Sequence, residues 1–161
     1  MCGIVGYIGR GGATEFLVEG LRRLEYRGYD SAGIGTITPE GRFAITKTPG
    51  RIDILAQALA ESPADGSIGI GHTRWATHGM PAERNAHPHM SGEQVAVVHN
   101  GIIENHAELR EALSAEGYQF SSETDTEVIA HLLASLLQAG NDLLGAVRGL
   151  VSRLVGAYAL A

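Results

Sequence analysis

The chain carries one cysteine, and it is the second residue. A small residue at that position permits removal of Met1, which would leave a thiol and a free α-amine on Cys2. An α-amine titrates near about 7.7 to 8.0 and a free thiol near about 8.5, so at neutral pH the amine can draw the proton from the sulfur. Activation of a nucleophile by an N-terminal amine is an established arrangement for acyl transfer. The plainer reading is that Cys2 is a small apolar residue opening a buried strand. An acyl-transfer sulfur also needs donors for the oxyanion that develops on the attacked carbonyl. Asn100 and Gly101, which follow the apolar run QVAVVH, supply a side-chain amide and a backbone N–H, and glycine there lets a substrate approach the backbone closely. The same dipeptide favours a hairpin turn. The following IIENHAELR has helical character, which fits a simple hairpin less well.

If the acyl group belonged to a small amino acid, its carboxylate and ammonium would need an arginine in a rigid loop and a buried carboxylate. Arg74 and Asp125 are the candidates. Asp125 can equally be a first-turn acid that favours a helix dipole, and Arg74 a surface ion-pair partner. Seven histidines raise a metal hypothesis, centred on His87 and His89 with His72, His78 and His99 near in sequence. No HExxH pattern or paired cysteine accompanies them, so the expectation is no metal, with histidines packed around a polar loop. The glycines of IGRGG lack a following GK[ST] and make no phosphate loop. No cofactor is implied.

These residues need elements to position them. CGIVGYIG reads as a buried strand, and ATEFLVEGLRRLEYRG as a helix with Leu17, Leu21 and Leu24 on one face. GIGTIT and RFAITKT flank Pro39, Glu40 and Gly41, a hairpin signal; IDILAQALAE is helical and SIGIGHT a strand. Residues Arg74 to Ser91 show neither periodicity and hold Gly79, Pro81 and Pro88, which predicts a long ordered loop of functional kind. QVAVVH predicts a strand stopping at Asn100 and Gly101, and HAELREALSAEG and ETDTEVIAHLLASLLQAG predict helices. Thr124 with Glu127 has the spacing of a capping box for the second of these. NDLLGAVRGLVSRLVG is a last helix with Asn141 as its cap, and AYALA a strand. A strand ending without a turn or polar tail predicts that the chain is part of a longer protein.

With 161 residues, 44% hydrophobic and 19% charged, the chain can bury one core and is expected to form one domain. The net charge of -6, with Lys47 the single lysine among scattered arginines, offers no basic stripe for nucleic acid or an anionic membrane. No apolar run reaches the roughly 18 to 20 residues of a membrane span, and the N-terminus lacks the features of a signal peptide, so a cytoplasmic location is expected. A single cysteine allows no internal disulfide.

Cys2, HTRWATHG (72–79), VVHNGIIENH (97–106) and ETDTEVIAH (123–131), taken together, closely resemble the glutaminase domain of the glutamine:fructose-6-phosphate aminotransferase (isomerizing), or glucosamine-6-phosphate synthase, family. LRRLEYRGYDSAG (21–33) is characteristic of that family; amidophosphoribosyltransferases and glutamate synthases share the N-terminal CGI but resemble the chain less here. The resemblance implies an α+β Ntn-hydrolase fold, a four-layer αββα sandwich of two antiparallel sheets, and hydrolysis of L-glutamine to glutamate and ammonia. It implies Cys2 as nucleophile with its own amine as base, and Asn100 and Gly101 as the oxyanion hole. Arg74, Thr77, His78 and Asp125 match residues that bind the amino-acid end of glutamine, and Trp75 an aromatic that gates ammonia passage. Fructose 6-phosphate would be met only through a second, synthase domain that is not in this chain, and the parent enzyme is expected to be a homodimer. The family's glutaminase domain is longer than 161 residues, so the sandwich is expected to be incomplete at its C-terminus. If Met1 stays attached, the amine belongs to methionine and the chain should be inactive. The rival readings are a glutaminase domain of another Ntn amidotransferase, such as an amidophosphoribosyltransferase, and a noncatalytic binding module.

Overall fold

A computed structural model describes residues 2–63, 66–75 and 79–161. The expectations for Met1, Thr77 and His78 therefore lie outside the described residues. The first sheet holds β1 (Gly3–Ile8), β2 (Ser31–Ile37), β3 (Phe43–Pro49) and β4 (Ile68–Arg74) in the order β1-β4-β2-β3, all antiparallel. The β2–β3 hairpin turns where the sequence predicts, with Gly41 at φ 78° and Thr38 and Arg42 closing the loop. Helices α1 (Ala13–Leu24) and α2 (Ile52–Glu61) cover one face. The four-residue spacing of Ala13, Leu17 and Leu21 aims all three at the sheet, where they are fully buried. Each leucine contributes about 1.5 to 3 kcal/mol by leaving water.

The second strand layer is built from β5 (His89–Ser91), β6 (Val95–Val97), β7 (His99–Ile103) and β8 (Gly156–Leu160), in two antiparallel pairs, β5–β6 and β7–β8. Val98 joins the pairs, since it exchanges backbone hydrogen bonds with Ala161. Helices α3 (His106–Ala115), α4 (Thr126–Gln138) and α5 (Leu143–Arg153) lie outside this layer. Their core is formed by Ile103, Leu113, Val128, Ile129, Leu132 and Leu150. The order is therefore helices, sheet, strands, helices. The two apolar cores sit between helices and strands; between the strand layers lie polar side chains, His72, His87, His89 and His99 among them. Gly33 on β2 permits this stacking, because a Cβ there would collide with the His87 carbonyl oxygen. No helix among the described residues is long and apolar enough to cross a membrane.

Several local expectations are corrected. The strand does not stop at Asn100 and Gly101: it breaks at Val98, and β7 runs on to Ile103, so the dipeptide lies inside a strand and forms no turn. The stretch from Arg74 to Ser91 is not all loop, since Arg74 ends β4, Glu83–Asn85 form a 3₁₀ turn and His89–Ser91 form β5. Thr124 and Glu127 make no capping box. The residue preceding α4 is Asp125, while Glu127 reaches back to the Ser121 and Ser122 amides. The cap of α5 is Asp142, which accepts from Gly145 N at 2.7 Å; Asn141 instead donates to Leu136 O and closes the end of α4.

Candidate active site

The residues with chemical potential meet where the ends of β1, β4 and β7 converge. Cys2 stands one residue before the Gly3–Thr73 pair of the β1–β4 ladder, which sets it against the end of β4. Its sulfur accepts the Trp75 backbone N–H at 3.2 Å and lies 3.7 Å from the Trp75 carbonyl oxygen, to which a protonated thiol can donate. The backbone of Arg74 and Trp75 is in turn held by the EYRGYDSAG segment. Asp30 N donates to Arg74 O, and Gly28 packs so tightly there that a Cβ would stand 2.7 Å from the Arg74 carbonyl carbon. This gives a structural reason for the glycine in that motif.

Asn100 reaches Cys2 from β7: its Nδ2 donates to Cys2 O at 3.1 Å. Gly101, next along, has φ 132°, and a Cβ on it would strike the Ala157 carbonyl oxygen of β8. Only glycine meets both demands without strain. Arg74 is almost wholly buried, and its Nη2 donates to Gly79 O at 3.4 Å. Burial lowers the pKa of its guanidinium from the ordinary value, against the opposing pull of Cys2, Asp30, Asp125 and Glu123. Asp125 is not a solvent-facing first-turn acid; it is buried, and its Oδ2 accepts the Ile103 amide of β7 at 2.9 Å. Cys2, Arg74, Trp75, Asn100, Gly101 and Asp125 line one open cavity of about 350 Å³, within the usual range for small-molecule sites. Trp75 stands half-exposed at its edge, its ring edge-on to Tyr29 with centroids 5.6 Å apart.

The structure adds residues that the sequence reading passed over. Arg27 also lines the cavity, from within the LRRLEYRGYDSAG stretch that carries the family resemblance. Asn85 is fully buried, donating to Met80 O and Glu123 Oε2 while its Oδ1 accepts the Glu123 amide. It thereby ties residue 80 to the loop that carries Asp125. Glu127 anchors that loop through the amides of Ser121 and Ser122 and the Ser122 hydroxyl. Burial alone would raise its pKa, but His131 and these serine donors prevail and hold the carboxyl well below its usual range.

Four of the buried histidines are bonded to hydroxyls. His87 and His99 both meet Thr126 Oγ1 at 2.9 Å, His89 meets Thr124 Oγ1 at 3.1 Å, and His131 meets Ser91 Oγ at 2.8 Å. Burial pushes His72 down to about 4 and His89 to about 3, and lowers His87 and His99 as well. These rings are therefore neutral at physiological pH. Among the described residues no group of histidine, cysteine and acidic side chains has the arrangement of a metal site.

The fold and the site define a class. Residues 72–161 match the family model of the glutamine amidotransferase domain, and the chain belongs to that family, with the fold of the Ntn amidotransferases. Among individual proteins, it is 56% identical over 161 residues to the glutamine–fructose-6-phosphate aminotransferase [isomerizing] of Pseudomonas putida, aligning all of this chain with 26% of that protein. The protein of the same name from Salmonella paratyphi A is 58% identical over 158 residues, covering 98% of this chain and 26% of the relative. The chain thus spans about a quarter of the length of these curated relatives. Among solved structures, the glutamine phosphoribosylpyrophosphate amidotransferase from B. subtilis, complexed with ADP and GMP, superimposes with a TM-score of 0.83 at 31% identity, over 99% of this chain and 34% of that one. A second, described as the allosteric regulatory enzyme of purine biosynthesis, gives 0.84 at 32% identity over the same shares.

Proposed function

We propose that this chain hydrolyses L-glutamine to glutamate and ammonia through a thioester on Cys2. The observation that carries the reading is the single cavity shared by Cys2, Asn100, Gly101, Arg74 and Asp125, because it joins a nucleophile to oxyanion donors and to both charges that an amino acid requires. Arg74 takes the substrate carboxylate and Asp125 its ammonium, with Thr77 and His78 assigned to the same end by resemblance. With Met1 removed, the Cys2 α-amine accepts the thiol proton as sulfur attacks the side-chain amide carbon. The oxyanion is held by the free N–H of Asn100 Nδ2 and by Gly101 N–H. Collapse breaks the C–N bond, the ammonium returns its proton, and ammonia leaves. Water, deprotonated by the same amine, then adds to the thioester and releases glutamate and the thiol.

The longer proposal follows from the relatives. This chain is read as the glutaminase part of a cytoplasmic enzyme, a homodimer by family expectation, whose synthase domain delivers the ammonia to fructose 6-phosphate, with Trp75 at the passage. Identity of 56 to 58% to the fructose-6-phosphate aminotransferases, against 31 to 32% to the two solved structures, supports that acceptor. Glutamate release from glutamine by the Met1-free protein, abolished in Cys2→Ala and indifferent to chelators, is the expected result. Turnover that survives Cys2→Ala would overturn the mechanism.

A further inference from the structure

We infer that His72 is a positioning residue for glutamine hydrolysis, fixing which end of the Asn100 side-chain amide faces the reacting carbonyl. His72 is fully buried on β4, and its Nε2 lies 3.1 Å from the backbone oxygen of His99 and 2.9 Å from Asn100 Oδ1. A carbonyl oxygen can only accept, so Nε2 carries the proton. That fixed donor makes the Asn100 oxygen the favoured atom on its side and turns Nδ2 toward Cys2, where it is found. A flipped amide would set N–H against N–H at His72 and aim an oxygen at the developing oxyanion, replacing attraction by repulsion. The imidazole itself is held in place: its ring stacks on His87 with centroids 3.9 Å apart, and His87 is bonded to Thr126. Burial also keeps His72 neutral, so it donates without placing a full charge behind the oxyanion hole.

The inference rests on the glutaminase reading, and its test separates the two. His72→Phe keeps a planar ring but has no donor; His72→Gln can place an amide N–H near the Nε2 position, and His72→Asn is too short to do so. Glutamine turnover is compared with alkylation of Cys2 by iodoacetamide, a displacement that forms no oxyanion. His72→Phe should lose about tenfold or more in kcat, with KM for glutamine and the alkylation rate within about threefold of wild type. Gln should recover part of kcat and Asn should not. If His72→Phe fails to fold, the Gln and Asn variants decide alone: equal kcat in both overturns the inference. A kcat for folded His72→Phe within threefold of wild type, or parallel loss of turnover and alkylation, also overturns it. A wild-type protein that alkylates at Cys2 but hydrolyses no glutamine removes the glutaminase reading itself, and the inference with it.

Discussion

Replacing Asn100 by alanine separates catalysis from folding, because the structure assigns its amide little of the fold. The side chain makes hydrogen bonds to Cys2 O and to His72 Nε2. After truncation His72 keeps its second acceptor, His99 O at 3.1 Å, so no buried donor is orphaned there. Two neutral hydrogen bonds contribute about 0.5 to 1.5 kcal/mol each, a loss of a few degrees in Tm for a domain of this size. The effect on turnover should be larger. Loss of one preorganised oxyanion donor lowers kcat by about 10² to 10³, or about 2.7 to 4 kcal/mol in the transition state alone. Because the proposed mechanism sets Asn100 at the reacting amide and not at the amino-acid end, KM for glutamine should stay within about threefold. Initial rates of glutamate formation across a glutamine series, beside a thermal melt, measure both quantities. An unchanged kcat, or a rise in KM that accounts for the whole loss, would refute the assignment.

Arg74→Ala should raise KM for glutamine by at least tenfold with a smaller change in kcat, since the guanidinium is assigned to the bound carboxylate; isothermal titration with glutamine in a Cys2→Ala background, where no turnover occurs, reads the affinity, and unaltered affinity would remove the clamp. Gly101→Ala should destabilise the protein by more than about 1 kcal/mol in a denaturant melt, because a Cβ meets the β8 backbone at a positive φ. Acid should unfold the protein through its buried histidines. The folded pKa values of His72 and His89, about 4 and about 3, lie below the ordinary 6.5, so the unfolded chain binds more protons as pH falls from 6.5 toward those values. Stability should therefore be level above neutrality and decline below pH 6.5 by up to about 1.4 kcal/mol per pH unit for each such histidine. Equilibrium melts at pH 7.5, 5.5 and 4.5 with no such decline would show that the rings are not held neutral.

Much of this was legible along the chain wherever local periodicity and burial agree. The four-residue stripe of α1 and the Pro39–Gly41 turn both form where the residue pattern places them. Cys2, Arg74, Trp75, Asn100, Gly101 and Asp125 do share one cavity. What misled were signals with two local solutions. Asn-Gly favours a turn in isolation, but pairing with β8 keeps Asn100 and Gly101 in a strand. Thr124 and Glu127 fit a capping box by spacing, yet Thr124 turns to His89 and Glu127 to the serines before it, so the loop is fixed by long-range contacts. The contacts of His72 and Asn85 had no local signal at all, because each depends on partners distant in sequence that only the folded chain brings near.

In the proposed mechanism Cys2, freed of Met1, is an activated nucleophile in a pocket shaped for glutamine. Intact mass of the protein before and after incubation with a diazoketone analogue of glutamine, followed by mapping of the modified residue, tests it most directly. The expected outcome is loss of Met1, one adduct per chain, and that adduct on Cys2, with excess glutamine protecting the thiol. A Met1-free protein whose Cys2 stays unlabelled, or is labelled at the same rate with glutamine present, would contradict it.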